Sequence, residues 1–127
     1  MPADTIVNQV NQLKATFTTG ITRDIKWRLA QLKQLKLMLV EHEVAFLTGL
    51  KTDLNKSEQE AWTSELGFLL NDIDHTVKHL NSWAKTRKVS TPLFVQPGKS
   101  YLLPEPLGTV LIIGAWNYPL QLVLAPL

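Results

Sequence analysis

Residues 105–120 read Glu105-Pro-Leu-Gly-Thr-Val-Leu-Ile-Ile-Gly-Ala-Trp-Asn-Tyr-Pro-Leu120, and the order of residue types along this stretch decides the fold class. Thr109-Val110-Leu111-Ile112-Ile113 is short, β-branched and uncharged, the composition of a strand buried on both faces. A strand is therefore expected from about Gly108 to Ile113. Gly114-Ala115-Trp116-Asn117-Tyr118 makes a connector, and Pro119 suits the first turn of a helix, where its missing N–H removes no intrahelical bond. Strand, short loop and helix start together open an α/β unit. The unit is unfinished. Leu120 to Leu127 are apolar nearly all round, so a helix there needs burial on most sides, and a lone parallel strand needs neighbours. The expectation is a chain that stops inside the core of a larger α/β protein.

Everything before residue 89 reads as helix. The first helix is expected after Asp4, an N-cap type, and ends near Gly20; Ile6, Val10, Leu13 and Phe17 give it one apolar stripe. A second is expected over about 24–40, with Ile25, Leu29, Leu32 and Leu39 on one face, and a third over about 42–54, with Val44, Leu47 and Leu50 as core contacts. In the fourth, Ser57 and Glu60 fit a capping box. From there Trp62, Leu66, Leu69, Ile73, Val77, Leu80 and Trp83 keep a helical period, and Lys85, Arg87 and Lys88 suit the negative end of the helix dipole. Thr91-Pro92 ends this section. Phe94–Gln96 and Lys99–Leu103 flank the turn pair Pro97-Gly98, so a β-hairpin is expected between them.

Composition narrows the function. With 45% hydrophobic and 19% charged residues the chain is neither disordered nor fibrous, and its 127 residues suffice for one core. A net charge of +2 is too small to point to nucleic acid. The absence of cysteine removes disulfides, thiolate metal sites and a nucleophilic thiol from these residues. Met1-Pro2-Ala3-Asp4 lacks the layout of a secretory signal, so the cytoplasm is the default compartment. Pro106 to Leu127 carries no charge and has the length of a membrane span, but Gly108, Gly114, Asn117, Pro119 and Gln121 interrupt it.

The stretch 105–120 resembles the signature of the aldehyde dehydrogenase superfamily, a Pro-Xaa-Gly-Val-Val strand followed by Trp-Asn-Phe/Tyr-Pro. The Gly-Ala/Thr-Trp-Asn-Tyr-Pro form is similar to its class 3 branch, as are Thr52–Glu58, Glu65–Ile73 and Lys88–Pro92. The resemblance implies an α/β enzyme with a doubly wound cofactor domain, a catalytic domain and a hairpin-based oligomerisation arm. Residues 1–88 would then be a helical segment packed on the cofactor domain, 89–105 part of the arm, and 106–127 the start of the dinucleotide-binding domain. It further implies a homodimer that oxidises aliphatic or aromatic aldehydes, medium to long chain, to carboxylic acids with NAD or NADP. Asn117 takes the family's role of amide donor to the oxygen of the tetrahedral intermediate, a preorganised neutral donor for charge that develops in the transition state. Ile113, Gly114, Ala115 and Trp116 fall along the cofactor crevice. The family's nucleophilic cysteine, general-base glutamate and glycine-rich pyrophosphate loop have no counterpart here, and Glu105 precedes the strand, on the wrong side for the base. The fragment alone is expected to be inactive.

Two other readings compete. A non-catalytic helical interaction module predicts that residues 1–88 fold alone, and a tail-anchored membrane protein predicts partition into lipid. Membrane association through residues after Leu127 also stays open. His75 and His79 have a metal-compatible spacing, but they sit off the apolar stripe without a third ligand and read as solvated. Trp27, Trp62 and Trp83 read as packing residues. Asp72 and Asp74 read as exposed acids, not a matched acid/base pair.

Overall fold

The computed structural model describes residues 3–127; Met1 and Pro2, part of the leader reading above, lie outside them. Local signals place the helices close to where the periodicity predicts. Helix α1 (Ala3–Thr18) is followed by Gly20, whose φ of 81° is left-handed backbone that glycine adopts without strain. Asp4 lies inside the first turn of α1 rather than before it; a carboxylate there still faces the unpaired amides of the helix start. A 3₁₀ turn at Ile21–Arg23 leads to Asp24, whose Oδ1 accepts the Lys26 N–H at 3.1 Å and opens α2 (Ile25–Glu41). Helix α3 (Glu43–Leu54) ends at Asn55, also left-handed at φ 54°. Ser57 Oγ accepts the Glu60 N–H at 3.2 Å and starts α4 (Glu58–Ala61), which continues through a π turn at Trp62–Leu66 into α5 (Gly67–Trp83).

The core lies between α2 and α5. Leu39, Leu66, Leu69 and Ile73 are fully or almost fully buried, with Leu32, Leu35, Met38 and Phe46 packed around them. Helix α6 (Pro119–Leu124) adds Leu120 and Leu124 to the same cluster. The π turn changes one sequence expectation. Its extra residue shifts the buried face, so Trp62 is 43% exposed while Glu65 and Leu66, adjacent in sequence, are both fully buried. The Trp62 indole lies instead over Gly67, where a Cβ would come 2.8 Å from its Cζ3. Trp83 is half exposed as well. Along α1, Ile6 and Leu13 of the predicted stripe are exposed, while Phe17 lies against Gly108.

The hairpin is real but its first arm differs from the expectation. Strand β1 is Arg87–Val89 and β2 is Ser100–Leu102, antiparallel, with Arg87 opposite Leu102, Lys88 opposite Tyr101 and Val89 opposite Ser100. Phe94–Gln96, expected as the first arm, is no strand: Phe94 and Val95 belong to a 3₁₀ turn (Leu93–Val95) after Pro92; the Val95 carbonyl accepts the Gly98 N–H, and Thr91 Oγ1 accepts the Ser100 N–H. Pro92 and Pro97 lack the N–H a ladder needs, so pairing moves outward to the residues before Thr91. This also takes Arg87 and Lys88 out of the helix end, where the dipole reading put them, and into β1.

Residues 108–113 carry no ladder. Among the described residues the one sheet is β1–β2, and no segment runs beside 108–113 to pair with it. A strand, unlike a helix, cannot satisfy its own backbone groups, so the β-branched run remains irregular with Leu111 and Ile113 both 83% exposed. The uncharged run 106–127 is helical only over α6, and no helix among the described residues is long and apolar enough to cross a membrane.

Candidate active site

Residues 114–121 form a corner between the ladderless run and α6. Trp116 and Asn117 occupy a turn, and Pro119 takes the first helical position. Gly114 sits tight against the helix the corner leads into: a Cβ there would be 2.6 Å from Val123 Cγ2 and 3.4 Å from the Val123 backbone nitrogen. Its lack of a side chain thus lets the chain fold back onto its own α6, the structural alternative to close approach of a ligand. Asn117 and Trp116 are exposed. Trp116, Pro119 and Leu120 line a hollow of about 290 Å³ with Phe46, Leu50 and Asp53 of α3. Asn117 does not line that hollow.

Beneath the corner lies a buried ion pair that sequence reading did not single out. Asn55 turns the chain at the end of α3, its N–H and that of Lys56 bonding carbonyls of the last helical turn. Lys56 is thereby directed inward and is 8% exposed; its ammonium binds Oε1 of the fully buried Glu65. The other carboxylate oxygen of Glu65 accepts the backbone N–H of Leu120 at 2.8 Å and of Gln121 at 3.3 Å. These amides belong to the first turn of α6, where backbone donors have no intrahelical acceptor. The same ammonium lies 4.1 Å from the centre of the Tyr118 ring, within cation–π range. Lys56 and Glu65 thus satisfy each other and hold the corner on the side facing the core. The signal in the sequence was position: Glu65 falls in one four-residue row with Ala61, Leu69 and Ile73, all buried.

Other candidates do not converge here. The His75 and His79 rings lie 4.2 Å apart on α5, tilted by 40°, with His79 Nδ1 donating to the His75 carbonyl at 2.7 Å and Trp83 stacked on His79. No group of three His, Cys, Asp or Glu among the described residues is arranged to hold a metal. Asp74 pairs with Lys36 of α2 across the exposed edge of the helix pair.

Comparison with known proteins gives this corner a family context. The Aldehyde dehydrogenase family profile matches residues 3–127. The chain is 47% identical over 114 residues to 4,4'-diaponeurosporen-aldehyde dehydrogenase of Staphylococcus aureus, covering 90% of this chain and 25% of that protein. It is 44% identical over 115 residues to Aldehyde dehydrogenase family 3 comG of Dictyostelium discoideum, covering 91% and 24%. Among solved structures, the substrate-bound state of Staphylococcus aureus AldH superposes with a TM-score of 0.88 at 44% identity, covering 93% of this chain and 26% of that one. The chain spans about a quarter of the length of the relatives it matches. It belongs to the aldehyde dehydrogenase family.

Proposed function

We propose that this chain supplies the asparagine-bearing corner of an NAD(P)-dependent aldehyde dehydrogenase that oxidises aliphatic or aromatic aldehydes, medium to long chain, to carboxylic acids. The observation that carries the reading is the setting of Asn117. It is exposed in a turn between an apolar run and the start of a helix whose first amides are held by a buried carboxylate. A side-chain amide so placed donates an N–H to an oxygen that gains charge in the tetrahedral intermediate, without itself changing protonation state. The family's attacking cysteine and its water-activating glutamate have no counterpart among residues 1–127, which contain no cysteine.

NAD or NADP, when bound, supplies the hydride acceptor. Ile113, Ala115 and Trp116 present exposed apolar surface suited to the flank of a planar ring, whereas the free face of Gly114 is taken up by Val123. These residues offer packing surface and no cationic group, so they fit the nicotinamide end of the cofactor better than its diphosphate. In this reading residues 1–88 pack on the cofactor domain, 89–105 contribute to an arm of a homodimer, 106–127 begin the dinucleotide-binding domain, and the enzyme works in the cytoplasm.

The test is Asn117→Ala in the full-length enzyme, assayed with a small aldehyde and NAD or NADP. The expected result is a kcat lower by about 100- to 1,000-fold with little change in KM. A kcat near that of the unaltered enzyme would remove Asn117 from the chemistry.

A further inference from the structure

We infer that Glu65, charge-paired with Lys56, is a positioning residue for Asn117, an inference that rests on the role proposed for Asn117 above. Asn117 is exposed, yet a donor that stabilises a transition state must be held where the charge will appear. The backbone on both sides of it is anchored instead. On the N-terminal side, Gly114 is seated against Val123 of α6. On the C-terminal side, the Tyr118 ring covers the Lys56 ammonium, and Glu65 Oε2 takes the Leu120 and Gln121 amides. Only Ala115, Trp116 and Asn117 span the gap, so the turn has little freedom once these points are fixed.

The geometry separates this from an ordinary structural ion pair. Glu65 uses one oxygen for Lys56, nine residues away, and the other for a segment 55 residues away. It is fully buried on a π turn, a local widening that lets both Glu65 and Leu66 face inward from consecutive positions. An apolar residue in that row would pack the core at lower desolvation cost. A carboxylate there has a use that an apolar residue lacks: it fixes the register of α6, and with it the residue that starts the corner.

The experiment is a double-mutant cycle in the full-length enzyme with Glu65→Gln and Asn117→Ala. Glu65→Gln keeps the size of the side chain and an acceptor oxygen but removes the charge shared with Lys56. Its expected effect is a kcat lower by about 10- to 100-fold, as for a small displacement of a catalytic group, with KM for aldehyde and cofactor within about twofold. In the Asn117→Ala background the same substitution is expected to change kcat by less than about twofold, because the group it positions is gone. Equal losses in both backgrounds would show a general structural effect and overturn the inference while leaving the role of Asn117 intact. An Asn117→Ala enzyme with unaltered kcat would overturn the Asn117 reading itself. Should Glu65→Gln fail to fold, hydrogen exchange of the Leu120 amide in the unaltered protein decides. Protection comparable to the α5 core is expected, and exchange at the rate of an open first-turn amide overturns the clamp.

Discussion

The amphipathic helices α2 and α5, which carry several charged residues, bury leucines between them, whereas the run 107–113, which carries none, leaves its own exposed. Leu39, Leu66 and Leu69 are fully or almost fully buried, whereas Leu107, Leu111 and Ile113 are each more than four-fifths exposed. The difference is one of backbone accounting. A helix closes its own hydrogen bonds and needs a partner only for one face, so two helices of modest length suffice to bury each other. A strand leaves its N–H and C=O groups open on both edges and needs two neighbours as well as cover on its faces. Hydrophobicity alone therefore does not tell which segment is buried in this chain; the source of the backbone's partners does.

That comparison can be broken most directly by truncating one leucine from each region. Leu39→Ala is expected to destabilise the helical core by about 2–5 kcal/mol, measured as a shift in the urea midpoint of the helical signal. Leu111→Ala in the same polypeptide of 127 residues is expected to change it by no more than about 0.5 kcal/mol. Comparable losses would mean that residues 107–113 are packed in solution. The join between the two regions is probed by Gly114→Ala, whose methyl group would enter the space of Val123; overpacking of this kind costs about 1–3 kcal/mol, and adding Val123→Ala should recover much of it. No recovery would mean that Gly114 is needed for some reason other than its contact with α6. The smallest effect belongs to the exposed edge of the core. Lys36→Ala removes the ion pair with Asp74, whose side chains are 38% and 60% exposed, and the expected loss is about 0.2–1 kcal/mol, falling as salt is raised.

The candidate site was legible in part. The Trp-Asn-Tyr-Pro run of residues 116–119 marked the corner, because a turn between an apolar run and a proline-led helix is written in adjacent residues. Lys56 and Glu65 fall inside stretches that resemble the family, and nothing nearby in the sequence says that they meet each other or the first turn of α6. Glu65 could have been flagged as a lone carboxylate in the row of Ala61, Leu69 and Ile73, yet its partner on α6 lies 55 residues on. Trp62 was misplaced for a related reason: a regular helical period puts it on the buried stripe, and the π turn moves that stripe by one residue.

What the sequence by itself determined is local. Helix extents, the Ser57 cap, the glycine stop at Gly20 and the proline start of α6 follow from interactions within a few residues, and the structure holds each of them; the Asp24 cap and the left-handed Asn55 stop that it adds are of the same local kind. What only the tertiary structure decided involves partners distant along the chain: β1 pairing with residues 100–102 across two prolines, the burial of Glu65 with Lys56, and the seating of Gly114 on Val123. The physical reason is that a capping residue has its acceptor or donor supplied by the neighbouring turn. A buried charge or an unpaired strand must find its partner across the fold, and one-dimensional periodicity does not record that distance.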